Sequence, residues 1–215
     1  SVSDWGELSF TPFVRRNHFD LRADSLAADI PRTSTSAGVD LALTLDTQDD
    51  AEFPGKGWYL HARHTRYMHA LDSDTEGFTS RAQASYAFTA LGGRWQLGAR
   101  AQSHEGDAYE DTATLGGPFR LSGYGIDRLH GTGSAMTTLQ YHYPLAQMLQ
   151  YPLFVGGSLE AGQLWGRGET ATFDRTIFGG SVYSALDTPL GPIYFGLGLA
   201  EGGEEAVFFR LGQPY

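Results

Sequence analysis

Glu160 is the charged residue whose position in the sequence most favours a specific role. It lies in the alternating segment Leu153 to Trp165, on the polar face that also carries Ser158 and Gly162. An ionised carboxylate that faces a protein interior requires partners. We predict Arg120 as that partner, and the alternative is a water-filled interior with no specific pair.

The sequence lacks the motifs of common hydrolases and dinucleotide-binding enzymes. No G-x-S-x-G motif occurs, so the nucleophile elbow of a serine hydrolase is absent. Residues 131–133, Gly-Thr-Gly, lack the third glycine of a dinucleotide loop. His104 and His130 flank a glycine-rich stretch, but neither has an identifiable nucleophile as its partner. We therefore predict no catalytic residue in this segment.

Candidate metal ligands are poorly spaced. The acidic stretch at residues 46–52 lacks the mid-loop glycine of an EF-hand, so a solvated turn is the better interpretation. His61 and His64 are three apart, which on a strand turns them to opposite faces. With no cysteine in the chain there is no thiolate site. We predict no metal and no cofactor.

Composition narrows the class of protein. Glycine numbers 28, aromatic residues reach 13% and charged residues only 19% of 215 residues, which suits a β-wall better than a disordered or helical chain. A net charge of -10 argues against a nucleic-acid partner. No apolar run approaches the length of a transmembrane helix, and the N-terminal residues do not form a signal peptide.

Period-two alternation runs through most of the chain and predicts β-strands. In the segment Ala37 to Asp46, Leu41 and Leu43 share one face. Asp40 and Thr44 share the opposite face. Eleven such segments are predicted, at residues 8–14, 18–24, 37–46, 57–67, 80–91, 94–104, 135–143, 153–165, 176–186, 193–199 and 207–215.

The predicted connections alternate between short turns and longer polar loops, as in membrane barrels. Residues 15–17 are predicted as a turn, residues 30–36 as a loop, and residues 144–152 as a connection longer than this rule prefers. Bacterial single-chain barrels have even strand numbers. An odd count therefore predicts that strands precede Ser1 or that one strand is missed.

The two faces of these segments favour a membrane barrel. The polar face mixes small residues with isolated charges such as Arg81 and Arg100, as a polar lumen would. Trp58, Trp95 and Trp165 bound the apolar face, as in interfacial belts. We predict an all-β fold, an antiparallel transmembrane β-barrel with roughly eleven or twelve strands in this portion. A lipocalin-like or sandwich fold is the alternative.

The connection at residues 115–133, LGGPFRLSGYGIDRLHGTG, is too long for a hairpin turn and too apolar for a solvated linker. Loops of this length are usually functional, and dense glycine indicates tight turns and close approach to a neighbouring surface. We predict that it folds back into the lumen of the barrel.

This loop resembles the lumen-entering loop of the bacterial surface antigen barrels of the BamA/TamA superfamily. In that family a Gly-Gly pair, an Arg-Gly-aromatic tip and a later glycine mark the loop. Ser122 stands where most members carry Arg, and the Leu-Ser-Gly-Tyr tip is similar to one branch, the patatin-like phospholipases with a C-terminal barrel. The matching residues are Gly116, Gly117, Arg120, Leu121, Ser122, Gly123, Tyr124 and Gly131.

Other stretches are similar to the same superfamily. The acidic turn followed by Pro54 resembles its Pro-x-x-Gly turn, and residues 157–165 and 187–192 resemble its late strands. The resemblance implies a sixteen-stranded barrel with five strands after the inserted loop, and a lumen lined there by Glu160 and Gly162. The C-terminal segment resembles the assembly signal of outer-membrane barrels at Val207, Phe209, Leu211 and Tyr215.

The resemblance implies that residues 1–215 form an outer-membrane β-barrel domain whose first strands lie upstream. The implied function is to anchor or help export an attached patatin-like lipid acyl hydrolase by type V secretion from Gram-negative bacteria. The implied partners are outer-membrane lipid, the barrel assembly machinery and upstream domains of the same protein, with a homo-oligomer as a further option. An assembly or translocation factor and an enzyme with its site at the outer rim are the alternatives.

Overall fold

The computed structural model describes residues 5–18, 33–71, 73–106, 112–169 and 171–212. These residues form an antiparallel all-β structure with two single-turn 3-10 helices, His69–Leu71 and Phe173–Arg175, which confirms the predicted fold class. Within these ranges no helix is long and apolar enough to cross a membrane. Ten strands follow one another in a single sheet: β1 (Gly6–His18), β2 (Thr33–Asp46), β3 (Gly57–Tyr67), β4 (Gly77–Ala90), β5 (Gly93–Gly106), β8 (Gly133–Met148), β9 (Tyr151–Trp165), β10 (Ile177–Leu186), β11 (Ile193–Ala200) and β12 (Glu204–Leu211). Two short strands, β6 (Ala113–Leu115) and β7 (Leu129–Gly131), form a separate hairpin between β5 and β8.

The sheet carries its apolar residues on the outside and its polar residues on the inside. Val182 and Phe209, for example, are 63% and 71% exposed, although both are large and apolar. On the opposite face Gln96, Gln140 and Ser181 are buried. This arrangement inverts that of a soluble domain, and it is the arrangement of a membrane barrel wall.

Aromatic contacts across the inner face show that the sheet curls. Phe53, from the connection between β2 and β3, stacks on Phe154 of β9 with 4.4 Å between ring centroids. It also lies 6.0 Å from the ring of Tyr194 of β11. Strands from both halves of the sheet therefore surround one interior. Within the described residues β1 and β12 do not pair with each other, so the sheet is not closed there.

The strand count differs from the prediction at the N-terminal side. Residues 15–17 do not form a turn but continue β1, where they pair with residues 34–36 of β2. The predicted loop at residues 30–36 is therefore wrong from Thr33 onward. The predicted second segment lies outside the described residues after His18. Among the described residues the sheet has ten strands, and five of them follow the inserted loop, as expected.

The connection predicted at residues 144–152 is instead a hairpin with a two-residue turn. Strand β8 passes Pro144 through a register shift and reaches Met148, and β9 begins at Tyr151. Leu149 and Gln150 form the turn with φ of 52° and 74°. Two positive φ values are the type I′ pattern, which normally selects Asn-Gly. The strand alternation on both sides, rather than favourable turn residues, specifies this hairpin.

Replacing Leu149 by Asn and Gln150 by Gly should stabilise the protein. Left-handed backbone costs an ordinary residue roughly 1–2 kcal/mol, so we expect the free energy of unfolding to rise by about 1 kcal/mol. A urea titration of the refolded protein in detergent micelles, followed by tryptophan fluorescence, measures this change. Leu190→Asn is the control, because Leu190 is similarly exposed in a turn but has no positive φ. An equal gain in the control would contradict the turn argument.

Candidate functional site

The inserted loop is a compact, internally hydrogen-bonded structure. Gly116 N–H donates to the carbonyl of Arg120 at 2.7 Å, and Gly117 N–H donates to the carbonyl of Tyr124 at 3.0 Å. Phe119 and Leu121 adopt positive φ values of 63° and 70°, a conformation that bulky residues avoid. Both side chains are almost completely buried, so packing maintains the strained backbone.

Glu160 of β9 holds the tip of this loop against the wall. We call the hydrogen-bonded group of Glu160, Ser122, Ser158 and Ser181 the latch. Its Oε2 accepts from the Ser122 N–H at 2.6 Å, and its Oε1 accepts from the Ser122 hydroxyl at 2.6 Å. The Ser158 hydroxyl donates to the same Oε1 at 2.5 Å. Glu160 and Ser122 are 3% and 1% exposed, so these bonds are made away from solvent. Three donors on one buried carboxylate satisfy the requirement that it not be left alone.

The hydroxyls around Glu160 have a definite direction of donation. A serine hydroxyl carries one proton, and the proton of Ser158 is directed to Glu160. In the 2.7 Å contact between Ser158 and Ser181, the donor is therefore Ser181. Ser122 Oγ in turn accepts from the Phe119 N–H at 2.9 Å. The latch thus joins the loop backbone to two neighbouring strands, β9 and β10.

The predicted pair between Arg120 and Glu160 is not formed. Arg120 instead contacts its own loop, with Nη1 3.2 Å from Asp127 Oδ1 and Nη2 2.6 Å from the Thr114 carbonyl. The prediction was wrong because the backbone at Ser122 approaches Glu160 closely enough to supply both an N–H and a hydroxyl. These neutral donors occupy the position that a guanidinium would need.

Glycines on the wall and in the loop allow this close approach. A Cβ on Gly198 of β11 would overlap the carbonyl of Ser122. A Cβ on Gly123 would overlap the backbone of Ala200 and Glu204. Gly162 of β9 has less severe contacts, with Leu115 at 3.1 Å from an added Cβ. Four wall residues lie beneath the loop, and we call them the docking bed: Gly162, Gly179, Gly198 and Ala200.

Aromatic side chains pack together in the interior beside the latch, towards the end of the sheet that carries the two-residue turns. The ring of Phe119 in the loop lies 5.1 Å from Tyr183 and 5.2 Å from Tyr194. Tyr194 also contacts Phe53 from the acidic turn, so loop and turn meet across one aromatic cluster. Arg94 Nη1 donates to the Phe53 carbonyl.

Hydrogen bonds from backbone N–H groups to its own carboxylates organise the acidic turn. Asp49 Oδ1 accepts from the backbone N–H groups of Lys56 at 3.0 Å and Gly55 at 2.8 Å. The Lys56 N–H, more than any other group, lowers the pKa of Asp49 below its ordinary value. Asp50 Oδ1 accepts from the N–H groups of Glu52 and Phe53. Among the described residues, no group of three or more His, Asp or Glu side chains is placed to hold a metal.

The remaining residues singled out from the sequence are separate from the latch. His61 bonds to Thr44 Oγ1 at 2.9 Å, whereas His64 bonds to Ser80 Oγ at 2.9 Å. His104 Nδ1 lies 3.1 Å from Thr79 Oγ1. In the predicted assembly signal, Val207, Phe209 and Leu211 lie exposed on the outer face of β12, while Tyr215 lies outside the described residues.

Ser158, Ser181 and Phe53 also belong to this site, and none of them was predicted as a partner of Glu160. The alternation of β9 and β10 placed both serines on the luminal face, and this was the available signal. Their pairing with Glu160 depends on register, since Ser158 is opposite Ser181 and Glu160 is opposite Gly179. Phe53 gave no such signal because it lies in a turn.

An apolar outer surface, a polar interior and a loop held within it define the wall of a membrane β-barrel. The sequence profile of the Omp85 superfamily domain matches residues 13–214, from within β1 to beyond β12. The chain therefore belongs to the Omp85 superfamily. Proteins of this superfamily are outer-membrane β-barrel proteins, which supports a membrane location. No curated protein sequence matches the chain significantly.

Substituting Glu160 by Gln should weaken the latch. An amide offers one acceptor oxygen and turns an NH2 donor towards donors, so we expect the free energy of unfolding to fall by about 1.5–3 kcal/mol. Hydrogen exchange of the amides at residues 115–128 should also become faster. Glu205→Gln is the matched control, because the Glu205 side chain on β12 is exposed. Unchanged stability and unchanged loop protection would rule out the latch.

Substituting Gly198 by Ala should displace the loop from the wall. The added Cβ overlaps the Ser122 carbonyl, so we expect faster hydrogen exchange at residues 119–124 in a barrel that still migrates as a folded species before heating. Gly125→Ala is the control, because an added Cβ there has no neighbour within 4 Å. Wild-type exchange rates in the Gly198 variant would show that the bed does not hold the loop.

Proposed function

We propose that this chain is the outer-membrane barrel that anchors and helps export an attached patatin-like lipid acyl hydrolase by type V secretion. That the chain is a barrel of the Omp85 superfamily follows from the family match and from the apolar outer face of the sheet. The attachment to a patatin-like hydrolase is supported by the loop tip, which resembles that of the patatin-like branch.

The observation that carries the proposal is the role of Ser122. This residue replaces the Arg that most members carry, and it supplies two of the three donors to Glu160. The substitution is therefore integrated into the structure, since Glu160 is satisfied without a cation. The Leu-Ser-Gly-Tyr tip resembles that of the patatin-like branch, and this resemblance supports the proposal.

The described residues suit an anchor whose interior holds the inserted loop. The latch and the docking bed hold the loop to strands β9 to β11, and Phe119, Tyr194 and Phe53 pack in one aromatic cluster beside it. The apolar outer face supplies the hydrophobic free energy that keeps such a wall in lipid. In this proposal the barrel performs no bond chemistry, and the hydrolase with its G-x-S-x-G motif belongs to an upstream domain of the same protein.

The second candidate is an assembly or translocation factor that acts on other proteins. It remains open because the family match shows an Omp85 superfamily domain and no particular branch of that superfamily. In that case the upstream region would contain periplasmic modules and no hydrolase.

The coding sequence upstream of Ser1 and a secretion assay together test the proposal. We expect a G-x-S-x-G domain upstream and phospholipase activity at the bacterial surface or in the medium. Ser122→Asp in the full-length protein places a carboxylate against Glu160, so we expect exported activity to fall about tenfold through repulsion. Gly125→Ala should leave export unchanged.

Two outcomes would contradict this proposal. Tandem periplasmic modules without a hydrolase would favour the assembly factor, and depletion of the protein should then lower the amounts of other outer-membrane proteins. Full export by the Ser122→Asp variant would show that secretion does not depend on the latch.

A further inference from the structure

Three leucines lie at the tips of three turns at one end of the sheet. Leu91 lies between β4 and β5, Leu149 between β8 and β9, and Leu190 between β10 and β11. They are 84%, 80% and 84% exposed, more than any other large apolar residue in the described ranges. Because these strands are neighbours in one antiparallel sheet, all three turns lie at the same end. We call this set the tip leucines.

Two of the tip leucines also have an unfavourable backbone. Leu91 and Leu149 have φ of 54° and 52°, in the left-handed region that bulky residues avoid. In the inserted loop the same strain at Phe119 and Leu121 is maintained by burial of the side chains. The tip leucines are not buried, so packing among the described residues does not favour them. Removal of their side chains from water would favour them.

Aromatic side chains on the outer face bond to the backbone of the first of these turns. Trp95 Nε1 donates to the Ala90 carbonyl at 3.2 Å, and the Tyr141 hydroxyl donates to the Leu91 carbonyl at 3.1 Å. Such side chains mark the membrane–water interface, where the ring lies in the apolar layer and the polar atom reaches towards water. The turn between β4 and β5 therefore lies at the level of the lipid headgroups.

The apolar outer face continues onto the hairpin of β8 and β9. Tyr143 lies opposite Val155 and Met148 lies opposite Tyr151, and both Tyr143 and Met148 are exposed. Residues 86–93, 143–159 and 188–199, which contain the three turns, include no charged residue, although the chain has a net charge of -10. An exposed apolar surface marks a contact with protein or membrane. Its continuity with the lipid-facing wall favours lipid as the occupant.

We propose that the tip leucines insert into the phospholipid headgroup layer and anchor this end of the barrel there. Short turns of outer-membrane barrels face the periplasm, so the leaflet is the periplasmic one. Apolar side chains at the boundary between headgroups and acyl chains gain the hydrophobic free energy that they lack in water. Three anchors along the sheet fix the depth of strands β4 to β11 in the membrane. This inference rests on the membrane barrel and not on the identity of an attached domain.

Electron paramagnetic resonance of spin labels, with the whole chain in phosphatidylcholine nanodiscs, tests the depth of each tip. The chain contains no cysteine, so Leu91→Cys, Leu149→Cys and Leu190→Cys each carry one label without background. Collisions with a polar nickel chelate should be at least about threefold rarer at each tip than at the control, because polar solutes are excluded from the lipid boundary. Ile126→Cys is the control, since Ile126 is 77% exposed but lies in the inserted loop.

A measurement on the unmodified chain covers the case in which a labelled variant does not fold. Hydroxyl-radical oxidation in the same nanodiscs, followed by peptide mass spectrometry, should modify the tip leucines at least about threefold less than Ile126, because the radicals form in water. Nickel collisions or oxidation equal to those of Ile126 would place the tips in water and overturn the proposal. Labels shielded from both nickel and dissolved oxygen would reveal a protein covering, which also overturns it. Neither outcome bears on whether a hydrolase is exported.

Discussion

The structure depends on one constraint, which is that the Glu160 carboxylate is buried inside the barrel wall and must be given donors. The wall supplies one, through Ser158, and the inserted loop supplies two from Ser122. Because one of these is a backbone N–H, the loop has to approach the sheet at main-chain distance. This approach explains the glycine at position 198 and the glycine that follows Ser122. It also holds Phe119 and Leu121 in backbone conformations that they would otherwise avoid.

Because alternate residues of each strand face inward, the two sides of the interior carry different kinds of side chain. Alternate residues of β9 to β11 present small and hydroxylated side chains, which form a bed for the loop. Alternate residues of β3 to β5 present arginines, which leave a cavity beneath the same loop. The loop is thus held closely on one side and faces a cavity lined by arginines on the other. The aromatic cluster around Tyr194 packs in the interior next to the latch.

Much of this site was accessible from the sequence. The glycine pattern predicted a loop inside the barrel, and the alternation of β9 turned Glu160 towards it. The partner of Glu160 was predicted incorrectly because alternation specifies a face and not a neighbour. Charge favoured Arg120, yet that side chain is occupied by Thr114 and Asp127 within its own loop. Ser122 became the partner of Glu160 because its backbone approaches the carboxylate, and the sequence pattern contains no signal for that approach.

The sequence by itself determined the class of the fold, the inward and outward faces of the strands and the five strands after the loop, because period-two patterning is local and survives without tertiary contacts. Strand ends were decided by the sheet. Residues 15–17 look like a turn but pair with β2, and Leu149-Gln150 turns a hairpin that its residues do not favour. The latch, the aromatic cluster and the arginine-lined cavity likewise exist only once the register is set. Register brings together residues that are distant in the chain, and its hydrogen bonds outweigh the local preferences from which sequence patterns are read.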